Sequence, residues 1–452
     1  MQKRYDVIVI GAGSGLHISS YAAEQGLNVA LIEQSAFGGT CLNRGCIPSK
    51  MLIHSADVAE DIRRAELFGI KAKITGIEWK KLVNRVNNFV DKDAWEIEKS
   101  NRQTKNITIY KAQARFVGNK MIEVGKETIT ADNIFICAGA RPSIPPIPGL
   151  QDVDFVTSDG ALRLKNQPKK LIIIGGGYIA SELAHFFGAL GTEVTILQRG
   201  NLLMNNEDSE IAQKFTEIYQ RKFNVILNAN TLRAHKKGKN VAVDIEVQGK
   251  RKTVVGDALL VATGRVPNTD ILNVKMSDIE VTDRGFVKVN EYLQTSVPGV
   301  WAIGDIAGIY QFKHSANLEA DYAINNAFGI KKPVDYSAMP HAAFSSPQVA
   351  AVGMTEDDLK AKKTPYLKGI YQFKSSGYGK AVEDNDGFVK VLVHPQTKEI
   401  LGCHIIGTDA SILIHEVIVA MKAKLGADGI LDAVHIHPAL SEVVQRAFER
   451  LQ

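Results

Sequence analysis

A strand, glycine turn, helix, strand unit occurs twice in the chain, and this echo limits the fold more than any other feature. Val7-Ile8-Val9-Ile10 is an apolar run. It leads into Gly11-Ala12-Gly13-Ser14-Gly15, a helical stretch ending near Gly26, and a second apolar run from Leu27 to Ile32, closed by Glu33. The same grammar returns from Leu171 to Ile174, through Gly175-Gly176-Gly177-Tyr178-Ile179-Ala180 and a helix ending near Gly191, to Val194 through Leu197. Two apolar runs joined by a helix predict a parallel strand pair. The expected fold is α/β, with two Rossmann-like dinucleotide-binding units.

Each unit has a later partner strand: Ile134-Phe135-Ile136-Cys137-Ala138-Gly139 for the first, and Leu259 to Arg265, through Thr263-Gly264, for the second. Pro142 to Pro148 and Pro267 follow as connections. A hairpin is expected between Asn240 and Asp257, with Lys236-Lys237 and Lys250 to Lys252 in solvated turns. Val300 to Asp305 is another buried strand ending in an acid. From about Pro340 the character changes, with strand Phe388 to Val393 and a helix from about Ser411 to Leu425 forming a third, α+β domain.

The formal net charge of +5 over 452 residues predicts neither nucleic-acid nor membrane-surface binding. No run is long and apolar enough for a membrane span or a signal-peptide core, so a cytoplasmic protein is expected.

A glycine turn aims backbone N–H groups and a helix dipole at a pyrophosphate, and an acid after the second strand can bond a ribose hydroxyl. Gly11, Gly13, Ser14, Gly15 and Glu33 fill these roles in the first unit. Leu16 departs from the small residue usual at its position; it implies a slightly displaced helix, or a register leaning on Gly15. Gly175, Gly177 and Ala180 serve the second unit. There Gln198, followed by Arg199, stands where the first unit has Glu33. A carboxylate would repel a ribose 2′-phosphate, whereas Gln198 with Arg199 can accept one, which favours NADPH over NADH. The alternative, that Arg199 only caps an exposed strand end, has nearly equal weight.

Four cysteines exclude a disulfide-stapled secreted scaffold. Cys41 and Cys46 lie close together in Gly38-Gly39-Thr40-Cys41-Leu42-Asn43-Arg44-Gly45-Cys46-Ile47-Pro48-Ser49-Lys50. A zinc site would need four ligands, and Cys137 and Cys403 are single, in apolar strand contexts, so no metal site is expected. A redox-active dithiol is the better reading. Pro48 suits a first helical turn, and a helix start with Lys50 nearby would lower the thiolate pKa of Cys46.

This segment resembles the active-site motif of the pyridine nucleotide–disulfide oxidoreductases, which include dihydrolipoamide dehydrogenase and glutathione, mycothione and mercuric reductases. The likeness runs through the whole chain, taking in GGGYIASE from Gly175 to Glu182, PHAAFSSPQVAAVG from Pro340 to Gly353, and HIHPALSE from His435 to Glu442. It implies FAD and NAD(P)H as cofactors, with electrons passing from nicotinamide to flavin to the cysteine pair. Cys46 would be the flavin-proximal thiol and Cys41 the interchange thiol. His437, oriented by Glu442 and reaching in from the other subunit of a homodimer, would be the base, with His435 structural.

By the same resemblance Lys50 and Glu182 form an ion pair beside the flavin, Tyr178 covers the nicotinamide pocket, and Asp305 bonds the ribityl chain. A helix would start near the flavin around His314. Gly39, Thr40, Ala138 and Gly139 join the FAD residues, and Ile179, Gly264 and Arg265 the NAD(P) residues. The implied domains are 1–150 with 271–340 for FAD, 151–270 for NAD(P), and 341–452 for dimerisation.

Ile47 to Lys50 and His437 to Glu442 are most similar to dihydrolipoamide dehydrogenase, which suggests a small-molecule or lipoyl-domain dithiol as substrate. Gln198-Arg199 replaces the acid that suits NAD, and the Gly13-Ser14-Gly15-Leu16 turn and Phe312 to Asn317 look more like mycothione reductase, so an NADPH-dependent reductase of a low-molecular-weight disulfide is the runner-up. A low-turnover redox sensor or scaffold is a third reading, opposed by the intact set Cys41, Cys46, Lys50, His437 and Glu442.

Overall fold

The computed structural model describes residues 3–452. The chain forms two compact units.

The first unit takes in the chain up to Met51, Lys80–Ser143 and Gly264–Asp335. Its sheet runs Ile107–Tyr110, Val29–Ile32, Lys3–Ile10, Glu127–Ile136, Met121–Val124, Ala114–Gly118. Lys3–Ile10 lies parallel to both neighbours, with Val7 opposite Val29 and Ile8 opposite Ile134. Val300–Ala302 pairs in parallel with the far side of Glu127–Ile136, so the strand that precedes Asp305 returns to the first glycine turn's sheet.

Val7 to Ile10 reads as a continuous apolar run because both faces of the sheet are covered. Val7 and Val9 pack with Ile18, Ala22, Ala320 and Ala323 of two helices. Ile8 and Ile10 pack on the other side with Phe116, Ile122 and Ile306.

The second unit comprises Leu52–Trp79, Ile144–Thr263 and Tyr336–Gln452. Its four-stranded parallel sheet is ordered Asn224–Ile226, Glu193–Leu197, Lys170–Ile174, Ala258–Val261. The expected hairpin is present as Asn240–Val247 with Lys250–Gly256, and Asn230–Lys237 adds a third strand. Lys236 and Lys237 end the strand Asn230–Lys237, and Lys250 to Lys252 open the strand Lys250–Gly256, so they are exposed as expected but lie on strands rather than in turns.

The C-terminal part is a five-stranded antiparallel sheet, Pro340–Ala343, Gln348–Gly353, Ile400–Gly407, Phe388–Val393, Leu367–Gln372. Helices Ala410–Lys422 and Glu442–Phe448 cover it. Among the described residues no helix is long and apolar enough to cross a membrane.

One charged residue in this core was not foreseen. Lys390 is fully buried, and its ammonium lies 2.8 Å from Asp208, 2.5 Å from Glu210 and 2.6 Å from Glu356. Burial alone would lower its pKa; the hydrogen bonds to the three carboxylates outweigh that and hold it up at about 12. Removing one partner of such a cluster strands the others in low dielectric. Lys390→Met should therefore lower unfolding stability by about 3–5 kcal/mol, measurable by denaturant titration; a loss below about 1 kcal/mol would mean that the carboxylates find other partners.

Candidate active site

The first glycine turn is built without side chains because there is no room for them. Gly11 has φ +109°, and a Cβ there would stand 2.4 Å from the Cys137 carbonyl oxygen. A Cβ on Gly39 would stand 2.8 Å from the Cα of Gly13. The departure at Leu16 is explained at Gly15, which opens the Gly15–Glu24 helix. A Cβ on Gly15 would meet Val9 at 2.7 Å, so Gly15 supplies the close helix–strand approach and Leu16 packs on the core edge.

Glu33 closes the second strand as expected. One carboxylate oxygen accepts from Ala12 N at 2.9 Å, the other from Ser35 N at 2.8 Å. The cradle and the acid together fit a dinucleotide with its pyrophosphate at the turn and a ribose beside Glu33. Ala138 and Gly139 follow the end of the neighbouring strand Glu127–Ile136, and their carbonyls accept from Asn268 Nδ2 at 2.7 Å and Asn268 N at 3.2 Å.

Cys41 lies on the short helix Gly39–Arg44, and Cys46 opens the helix Cys46–Arg64. The break between them is at Gly45, where a Cβ would stand 2.9 Å from the Thr40 carbonyl oxygen. Buried Asn43 fixes the segment by donating to the carbonyls of Phe37 and Gly39 at 2.8 and 2.9 Å. The two thiols are hydrogen-bonded to each other. That bond, helped by the charges of Lys313 and Lys50, pulls the Cys41 pKa down to about 7 against the effect of burial. The same bond and burial push Cys46 up. This reverses the expectation of a lowered pKa at Cys46: within the protein alone Cys46 is the donor and Cys41 carries the charge.

Cys403 is fully buried. Cys137 is not the buried bystander expected. It is half-buried against the glycine turn, its Sγ 3.2 Å from where a Gly15 Cβ would stand, and desolvation pushes its thiol up.

His314 is exposed, its ring stacked on Phe312 at 5.3 Å. The residue before it, Lys313, opens the helix Lys313–Phe328 and turns inward, donating to Ser14 Oγ at 2.8 Å. The inward-facing side chain is thus Lys313 rather than His314, because first-turn side chains lean back toward the helix start.

Asp305 is buried enough to raise its pKa, and Arg265 beside it, at 3.4 Å, pulls the other way. Gly264 and Arg265, assigned from sequence to the second nucleotide unit, lie in the first. Arg265–Pro267 pairs antiparallel with Ala140–Pro142, and the Gly264 carbonyl accepts from Ser143 N.

In the second unit Gly175 has φ +125°, and its Cβ would stand 2.2 Å from the Ala262 carbonyl oxygen, the same steric demand as at Gly11. Gly177 caps the helix Tyr178–Ala189, which carries Ile179 in its first turn. Gln198 is folded back, donating to the Leu202 carbonyl at 2.8 Å, and Arg199 is exposed. Tyr178 donates to Glu207, which also lies 3.0 Å from His341 Nε2. Neither Glu207 nor His341 was picked from sequence, although His341 stands inside a quoted motif. Glu182 is buried and accepts from Phe344 N at 2.9 Å.

His437 and Glu442 meet as expected, Nδ1 to Oε1 at 3.0 Å. The imidazole side chain is 77% exposed while the carboxylate side chain is only 10% exposed, so the ring is held from behind and presented outward. His435, by contrast, is turned inward, its side chain 7% exposed and 2.9 Å from Glu416.

Two glycine-turn cradles, a dithiol and an outward-facing His–Glu pair define a flavoprotein disulfide oxidoreductase. The pyridine nucleotide-disulphide oxidoreductase model matches residues 5–320, and the dimerisation-domain model of the same family matches 339–448. The chain belongs to the pyridine nucleotide-disulphide oxidoreductase family, which works with FAD and NAD(P)H.

It is 38% identical to mycothione reductase of Mycobacterium tuberculosis, covering 98% of each chain. It is 35% identical to dihydrolipoyl dehydrogenase of Cupriavidus necator, over 99% of this chain and 98% of the relative. A mercuric reductase of Staphylococcus aureus is 31% identical, with 82% of its length covered. Among solved structures, the HOCl-induced flavoprotein disulfide reductase RclA from Escherichia coli superposes with a TM-score of 0.88 at 30% identity, covering 98% of this chain and 99% of that one.

Proposed function

We propose that the chain is an NADPH-dependent reductase of a low-molecular-weight disulfide. The observation behind this choice is the end of Glu193–Leu197, where Gln198 is folded away and Arg199 is exposed with no carboxylate in the place of Glu33. A guanidinium there would pair with a 2′-phosphate. Dihydrolipoamide oxidation with NAD is the second reading, favoured by the Ile47 to Lys50 segment.

FAD, when bound, relays two electrons from the reduced nicotinamide to the cysteine pair. Gly11 to Gly15, Glu33, Gly39, Thr40, Ala138, Gly139 and Asp305 would hold it, with Lys50 and Glu182 at its ring. Gly175, Gly177, Tyr178 and Ile179 would hold the nicotinamide dinucleotide. The Cys41 thiolate attacks one sulfur of the substrate disulfide. That S–S bond breaks, and the departing thiolate takes a proton from His437. Cys46, giving up its proton to His437, then attacks the mixed disulfide at Cys41. A Cys41–Cys46 bond forms, and the second substrate sulfur leaves as a thiolate that takes up that proton.

His437 would be supplied by the partner protomer of a homodimer, whose interface domain spans about 341–452. The FAD part would be 1–150 with 271–340, and the NAD(P) part 151–270.

Steady-state kcat/KM with both nucleotides, against oxidised thiols and dihydrolipoamide, tests the choice. A charge-assisted contact of about 1.5–3 kcal/mol corresponds to a preference for NADPH of about 10- to 100-fold. Arg199→Glu should reverse it. A strong NADH preference, with dihydrolipoamide the best substrate, would move the assignment to the second reading.

A further inference from the structure

Tyr178 opens the helix Tyr178–Ala189 directly after Gly177, so it stands on the rim of the second glycine turn. A Cβ on Gly176 would meet Leu203 at 2.7 Å and Gln198 at 2.8 Å, whereas a Cβ on Gly177 would enter open space. One side of the turn is thus packed on the loop that follows Glu193–Leu197, and the other side is open to a ligand. That loop is pinned to the turn. Met204 N donates to the Gly176 carbonyl at 2.8 Å, and Glu207 N donates to the Met204 carbonyl at 2.9 Å. The next residue, Asp208, is fully buried against Lys390.

Glu207 therefore stands on a segment fixed at both ends, and its side chain is only 1% exposed. A carboxylate removed from water has to be met by donors. Tyr178 Oη donates to one of its oxygens, and His341 Nε2 lies 3.0 Å from both. Burial pushes the Glu207 pKa up, but the contacts with His341 and Tyr178 outweigh it and hold the carboxyl below its usual range. His341 comes from the strand Pro340–Ala343, and its ring centroid is 6.1 Å from that of Tyr178. A tyrosine on the first turn of a helix would otherwise exchange rotamers. Here its hydroxyl and its ring are both held, by elements distant in sequence.

We propose that Glu207, itself held by His341, is a positioning residue of the nucleotide site, clamping the Tyr178 ring where the nicotinamide end of the dinucleotide docks. This rests on the function proposed above, which puts the dinucleotide at this turn, and deepens it. A ring already fixed in place loses no rotamer freedom when the ligand arrives, so the clamp tightens binding. The adenosine end, beside Arg199, does not depend on it.

The test is calorimetric binding to the oxidised holoenzyme of NADP⁺ and of 2′,5′-ADP, which lacks the nicotinamide. Tyr178→Phe removes only the hydroxyl and leaves Glu207 beside His341. It should raise the NADP⁺ Kd by about tenfold, as expected for one hydrogen bond to a charged group, and leave the 2′,5′-ADP Kd within about twofold. Glu207→Leu should do the same, and the double variant should bind no more weakly than the worse single one, because both residues act through one contact. Glu207→Gln keeps an oxygen that accepts from the phenol and should stay within about threefold of the wild type.

An unchanged NADP⁺ Kd in Tyr178→Phe would overturn the inference, and that variant decides the matter even if Glu207→Leu does not fold with its flavin. So would losses that add in the double variant, or a fall in 2′,5′-ADP affinity equal to that for NADP⁺. The same series with NAD⁺ and ADP separates the two claims. If the wild type binds NAD⁺ more tightly than NADP⁺, the choice of NADPH fails instead, and the NAD⁺ series still reports on the clamp.

Discussion

Cys41→Ser and Cys46→Ser are each expected to lower NADPH-driven disulfide turnover by about a thousandfold or more while flavin content stays unchanged. A hydroxyl cannot complete the sulfur–sulfur bond on which the exchange depends, so neither variant can be rescued by the remaining thiol. The two should fail differently. The charges of Lys313 and Lys50, which also lower the Cys41 pKa, remain in Cys46→Ser and favour an attacking thiolate at Cys41. That variant should accumulate a mixed disulfide with substrate at Cys41, visible as a mass increase. Cys41→Ser leaves Cys46, whose thiol is held up by burial once its partner is gone, and should accumulate no such adduct. An adduct on Cys46 in Cys41→Ser, with none on Cys41 in Cys46→Ser, would reverse the roles.

His437→Gln is the second large effect, a fall in turnover of about 10²- to 10⁴-fold with flavin content and fold intact. The Nδ1 contact with Glu442 at 3.0 Å fixes which nitrogen carries the proton and leaves Nε2 to face outward. Glu442 is itself held by Ala439 N at 3.2 Å, and the bond from His437 keeps its carboxyl below the usual range. It therefore stays ionised well to the acid side of neutrality and keeps orienting the ring there. Glu442→Gln should cost less than His437→Gln, since the amide oxygen can still accept from Nδ1 and hold the ring in place. Equal losses in both variants, accompanied by loss of flavin, would indicate a purely structural pair.

The parts that were legible in the sequence share a physical reason. Gly11, Gly15 and Gly175 are dictated by local sterics, so the turns could be located from residue type alone. Cys41 and Cys46 flank a helix break at a glycine, and His437 and Glu442 share one short loop and helix start. What stayed hidden depends on packing between distant segments. Lys390 with its carboxylates, His341 with Glu207, and Lys313 with Ser14 are brought together only by the sheets. Arg265 shows the same limit: the apolar run before it belongs to one sheet, but its own pairing with Ala140–Pro142 carries it into the other unit. The direction of the thiol pKa shift was also out of reach, because it turns on which sulfur donates to the other and on a lysine far along the chain.

In the proposed reaction Cys41 and Cys46 are the electron store between nicotinamide and substrate. Counting alkylatable thiols in the denatured protein, before and after anaerobic NADPH addition to the oxidised holoenzyme, tests it directly. The expected result is two additional labelled thiols per chain, at Cys41 and Cys46, with Cys137 and Cys403 labelled equally in both samples. No gain on NADPH addition, or a gain at Cys137 or Cys403, would contradict it.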